Sequence, residues 1–179
     1  MHKNWIYGIL ALIIIVPIAY YLISPVFRVL EANEPSPLII DAMDTMDATT
    51  KAQFEQEVES MKDKVMVKDE SMPSSPKILA EGVFKPRAHD VAGRALIIEA
   101  NGEKYLRFEN FDTINGPDLR IYLSADIGKG EKYISLGKIK ATKGNVNYKL
   151  PDNIDLEQYD KVLVWCEAFS VLFSFADLS

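Results

Sequence analysis

The chain of 179 residues has one cysteine, Cys166, two histidines, nine glycines and nine prolines. A single cysteine excludes an intrachain disulfide framework, a four-cysteine iron–sulfur cluster and a Cys-x-x-Cys-His haem attachment. Only one histidine, His89, lies beyond the amino-terminal tail. That leaves too few ligands for a closed zinc site or a blue-copper centre. No methionine follows Met72, so an axial thioether is missing there as well. Bases are outnumbered 20 to 26 and form no stripe, which removes the electrostatic footing of nucleic-acid binding. Gly-x-Ser-x-Gly, phosphate-loop and dinucleotide-binding glycine patterns are missing too, so hydrolysis and nucleotide chemistry have no sequence support.

What is there begins with an apolar run. Residues 5–23 carry no charge, and as a helix they rise about 28 Å, close to the hydrocarbon thickness of a bilayer. Trp5 and Tyr7 at one end and Tyr20 and Tyr21 at the other suit two headgroup layers. Pro17 is tolerated in a membrane helix. The run exceeds the apolar core of roughly 7–15 residues of a cleaved signal peptide, and no small-x-small site follows it. The expectation is an uncleaved signal-anchor. Lys3 precedes it, while Arg28 follows it among acids that count for little. This orients the protein as single-pass, with a cytoplasmic amino terminus and an extracytoplasmic carboxy-terminal domain.

Residues 24–77 read as an acidic spacer, with five lysines against nine acids between 41 and 77. Pro35, Pro37, Pro73 and Pro76 bracket a run without proline or glycine, in which Phe54, Val58, Met61 and Val65 form one narrow helical stripe. The spacer is expected to be helical in part, over 41–69, and otherwise disordered. A solvated helix or stalk stands beside a short coiled coil that would pair two chains.

From residue 78 onward the pattern changes to short alternating runs. Residues 82–84, 94–100, 103–108, 118–124, 133–136, 145–150, 161–167 and 170–176 read as about eight strands. Asn101-Gly102 fits a tight hairpin turn with positive φ at both positions. One turn of helix at 155–159 would be capped by Asp155. The fold expected for 78–179 is all-β, an antiparallel β-sandwich of about eight strands. In a regular strand Cys166 shares a face with Val162 and Val164, opposite Leu163 and Trp165.

Several of these pieces occur in an ordered set. They are Gly82-Val83-Phe84, His89 with Gly93 four residues on, Asn110-Phe111 and Gly116-Pro117-Asp118-Leu119. The set continues through Tyr122-Leu123-Ser124, Leu136-Gly137, Tyr148-Lys149-Leu150-Pro151, Tyr159 and Trp165-Cys166-Glu167-Ala168-Phe169. Over residues 80–179 the chain resembles the DM-thirteen domain, an electron-transfer module found beside DOMON domains in Skeletor-like proteins. The resemblance implies a β-sandwich and a redox role centred on one cysteine, which corresponds to Cys166.

Two readings of Cys166 follow. It is a redox thiol or ligand, with His89 as its tuning partner, or it is a small buried hydrophobe. A lone cysteine outside the membrane is otherwise a free thiol or an interchain bridge. His89 is alternatively a polar side chain that holds its loop. No metal site is expected. Asn115-Gly116-Pro117-Asp118, even with Asp112, reads as a turn and not as a calcium loop. The cofactor that stays open is a non-covalent haem held by Cys166, His89 or a tyrosine.

The leading function is a membrane-anchored electron-transfer or thiol-redox domain. The alternative is a non-catalytic surface module that binds a ligand or protein. Whether it is an enzyme stays open, with a redox carrier or binding module favoured over an enzyme with turnover of its own. The expected partners are the membrane, an unknown redox or protein partner, and a second copy paired through the spacer or Cys166.

Overall fold

The computed structural model describes residues 2–39, 49, 52, 53, 56, 76–130 and 132–179. The apolar run forms helix α1 (His2–Ile23), with Pro17 inside it. Together with the 3₁₀ turn Ser24–Phe27, it supplies a stretch, Trp5–Phe27, long and apolar enough to cross a membrane, with a mean hydropathy of 2.5. None of that stretch is buried inside the protein. Among the described residues nothing covers this apolar surface.

The rest is mostly β. The strands are β1 (Glu31–Asn33), β2 (Lys77–Pro86), β3 (Val91–Ala100), β4 (Glu103–Thr113), β5 (Leu119–Ser124), β6 (Tyr133–Lys138), β7 (Lys143–Lys149), β8 (Lys161–Cys166) and β9 (Val171–Asp177). They form one continuous sheet, ordered β1-β7-β4-β3-β2-β9-β8-β5-β6 and curled into a half-barrel. The curl turns on β2. Its first part, through Val83, pairs with β3, and its last three residues, Phe84–Pro86, pair with β9. Hydrogen bonding thus joins the two halves that a sandwich would keep apart. The concave side is filled from both halves, with Ala95, Ile97, Leu106 and Phe108 from one and Ile121, Leu123, Val162 and Val164 from the other. Phe84, on the shared strand, sits edge-on to Phe108, ring centres 4.9 Å apart.

Eight strands coincide with the expected ones, and the count is corrected to nine. The additional strand is β1, which lies before the proline-bracketed run and pairs in parallel with β7. Three residues carry no readable alternation, so the strand exists only because a partner meets it. Gly144 makes the approach feasible: its φ is +109°, and a Cβ there would lie 2.1 Å from the carbonyl oxygen of Ala32. The buried Arg107 side chain then ties the following segment down, donating to the carbonyls of Glu34 (3.1 Å) and Pro35 (3.3 Å). Leu38, in the 3₁₀ turn Pro37–Ile39, packs on Leu96, Ile98 and Ala100, the face of β3 turned away from the main core.

The Asn101-Gly102 turn has positive φ at both residues, 53° and 77°, as expected. At 155–159 the expected single turn forms: the Tyr159 N–H donates to the Asp155 carbonyl (3.0 Å), and Asp155 Oδ1 accepts from the N–H groups of Glu157 and Gln158. The expected spacer helix and coiled coil fall outside the described residues, apart from Thr49, Ala52, Gln53 and Gln56, which are helical.

Candidate functional site

Cys166 ends β8 and pairs with Leu119 on one side and Val171 on the other. Alternation turns Val162, Val164 and Cys166 into the main core, while Leu163 and Trp165 pack with Tyr122, Leu172 and Phe175 on the opposite face. The thiol is free, and its residue is 0% exposed.

His89 stands elsewhere. The register between β8 and β9 shifts where Val164 pairs with Ser174 but Trp165 pairs with Leu172, which leaves Phe173 as an extra, bulged residue. Its freed carbonyl accepts three N–H groups in succession, from Arg87 (3.0 Å), Ala88 (3.0 Å) and His89 (3.3 Å). The loop after β2 is wound around that oxygen. It sets the exposed His89 ring over the buried Phe173 ring, centres 4.2 Å apart and planes at 56°. Sequence reasoning had no signal for this bulge, because neighbouring apolar residues in β9 look alike in one dimension.

Two adjoining cavities open beside His89. The smaller, of about 250 Å³, is walled by Val26, Pro117, Phe169, Val171 and Phe173, with His89 and Asn115 as its polar side chains. The larger, of about 550 Å³, shares Val26, His89, Ile114 and Asn115 and adds Arg28, Asp90, Asp112 and Thr142. The Gly116-Pro117 turn forms part of the smaller cavity's wall. A Cβ on Gly116 would crowd the Phe173 ring at 3.0 Å and Leu119 at 3.1 Å, so glycine lets this turn lie against both.

Val171 and Phe173 stand between the surroundings of Cys166 and those of His89. Val171 is the cross-strand partner of Cys166 and also lines the smaller cavity. Phe173 packs in the core that holds Cys166 and carries the His89 ring. Among the described residues no hydrogen bond joins the two side chains.

A second cluster lies on the face of β5 turned away from the main core, where the Glu167 N–H donates to the Asp118 carbonyl (2.9 Å). Glu167 accepts from the Tyr122 hydroxyl and from Lys129 Nζ (2.6 Å). The Lys129 ammonium sits 5.1 Å from the Tyr122 ring centre and 5.2 Å from that of Tyr133. The Lys129 hydrogen bond, then that of Tyr122, holds the Glu167 carboxyl below its ordinary value. Burial, then the bond to Glu167, pushes the Tyr122 phenol up.

An apolar helix feeding a small curled β domain, with one sealed thiol and an imidazole over a cavity, defines a single-cysteine β module and not a disulfide-stapled one. Residues 83–178 match the family model described as electron transfer DM13, which spans more than half of the chain. The chain belongs to that family. No curated protein and no solved structure matches it.

A haem held through Cys166 does not fit this arrangement. Axial ligation needs the sulfur at the wall of a cavity, and this sulfur belongs to the core cluster with no exposure. His89 is the residue of the pair that faces open space.

Proposed function

We propose that the protein is a single-pass, membrane-anchored electron-transfer domain working on the extracytoplasmic face, with its amino terminus in the cytoplasm. The family match supports the electron-transfer character, and the helix that could span a bilayer supports the anchor. The exposed His89 ring above two cavities supports that region as the working surface. There a redox partner or small redox ligand would be seated. Cys166 lies behind Val171 and Phe173, shielded from thiol exchange, which requires an accessible thiolate.

The observation that carries this reading is the contrast between a sealed sulfur and an open imidazole. The test is protein-film voltammetry of the full chain, purified with its native lipids. The expected wave, that of a small redox ligand carried over with those lipids, survives Cys166→Ala and is lost in His89→Ala. A silent film overturns electron transfer; a wave lost only in Cys166→Ala returns the chemistry to the sulfur.

The zero exposure of Cys166 favours a second reading, a non-catalytic binding module with a packed cysteine. The same burial speaks against an interchain Cys166 bridge. Pairing of two chains through the spacer would use residues outside those described.

A further inference from the structure

The stretch that can cross a membrane ends at Phe27, and β1 opens at Glu31. Fully extended, the chain covers at most about 14 Å between them. A headgroup layer is roughly 5–8 Å deep. The link is not slack. The Arg28 carbonyl takes a hydrogen bond from Asn115 Nδ2 (3.0 Å), and the Leu30 carbonyl takes the N–H groups of Thr142 (2.7 Å) and Lys143 (3.0 Å). If the helix spans, the sheet end that holds Asn115 and Thr142 lies at or just above the headgroups. That end carries exposed apolar side chains, Phe27 at 80%, Val29 at 69% and Phe169 at 52%. Val26, inside the apolar stretch itself, lines both cavities beside His89.

The smaller cavity has the chemistry of a flat, neutral ligand. Pro117, Phe169, Val171 and Phe173 give it apolar walls. Neither lysine nor arginine lines it. A phosphodiester there would have no cationic partner in the wall. Of its two polar side chains, Asn115 is already committed to the Arg28 carbonyl and the Gly116 N–H. Among the described residues the His89 imidazole makes no side-chain hydrogen bond, so it is free to bond a ligand oxygen. At about 250 Å³ the space falls below the roughly 300–1,000 Å³ that houses a drug-sized molecule and suits a single-ring head.

We propose that this cavity binds the head of a lipid-phase quinone or quinol, entering from the bilayer, with His89 hydrogen-bonding a ring oxygen. The choice of a redox ring rests on the electron-transfer reading above. The placement of the cavity near the bilayer rests on the anchor, and the character of its walls rests on neither.

The test is calorimetric titration of the full chain in detergent micelles with decylubiquinone. One saturable site per chain is expected, weakened at least about tenfold by His89→Ala and by Phe169→Ala. Val83→Ala, exposed and outside the cavity, should leave it unchanged. No heat above that of protein-free micelles overturns the proposal, as does equal affinity in His89→Ala. Displacement of the quinone by phosphatidylglycerol at equal concentration also overturns it. Binding with a film that is silent in voltammetry keeps the site and removes the electron-transfer reading. A voltammetric wave without quinone binding removes this site alone.

Discussion

Asn115 reaches from the loop before β5 to the carbonyl of Arg28, with its Nδ2 3.0 Å from that oxygen, while its own Oδ1 accepts the N–H of Gly116 at 2.8 Å. One nearly buried amide therefore joins the exit of the apolar helix to the turn that walls the cavity. Anchor and site are linked through a side chain as well as through the backbone.

Replacing Asn115 with Ala removes the side-chain partner of the Arg28 carbonyl and of the N–H of the buried Gly116. The variant should lose about 1–3 kcal/mol of stability. Urea unfolding of the full chain in micelles measures it. A midpoint equal to that of the wild type would mean that water replaces the amide without cost.

Arg107 holds the segment after β1 with a guanidinium whose side chain is only 6% exposed. Besides the Glu34 and Pro35 carbonyls it reaches Glu109 (2.9 Å) and Asn147 Oδ1 (2.9 Å). Arg107→Met keeps the apolar stem but removes every donor. Breaking such a buried set should cost about 2–4 kcal/mol, toward the lower end for a buried pair because Glu109 is partly solvated. Limited proteolysis should cut faster near residues 34–36. An unchanged cleavage rate there would show that β1 is held by its pairing with β7 alone.

Cys166 offers a direct probe of its surroundings. In an apolar core Cys166→Ser buries a hydroxyl with no partner, whereas Cys166→Ala only trims volume. The serine variant should unfold about 1–2 kcal/mol below the alanine variant. An aromatic disulfide reagent should label the wild-type thiol slowly in the native state and fully in denaturant. Rapid native labelling, or a serine variant as stable as alanine, would show that the sulfur meets water.

The Glu167 cluster sets a sign for the pH response. Its carboxyl sits below the ordinary value, chiefly through Lys129. Its contribution is therefore complete above the unfolded value of about 4.3 and disappears as pH falls through the lower folded value. Tyr122, pushed up, works at the other limb, present below about 10 and lost as pH rises toward its folded value. Wild type and Glu167→Gln should differ by a constant amount at neutral pH and converge in acid, as read by thermal midpoints. A gap that widens below pH 4 would contradict the pairing. Added salt should narrow the neutral gap, since the cluster is partly solvated.

Local regularities carried much of the fold into the sequence. Apolar length alone marked the helix, and alternation marked eight strands. The same alternation set Cys166 beside Val162 and Val164, because side chains in a strand point by turns to opposite faces. The Asn101-Gly102 turn was legible because few other residues accept positive φ. The tertiary structure decided what depends on distant partners. Glu31 finds Lys143 across more than a hundred residues, and a strand of three has no period to announce it. The bulge at Phe173 frees the carbonyl that winds the His89 loop over a cavity, and a one-residue slip in register leaves no compositional trace. Residue types named the two candidate groups of the site; only three-dimensional packing decided that one would be sealed and the other open.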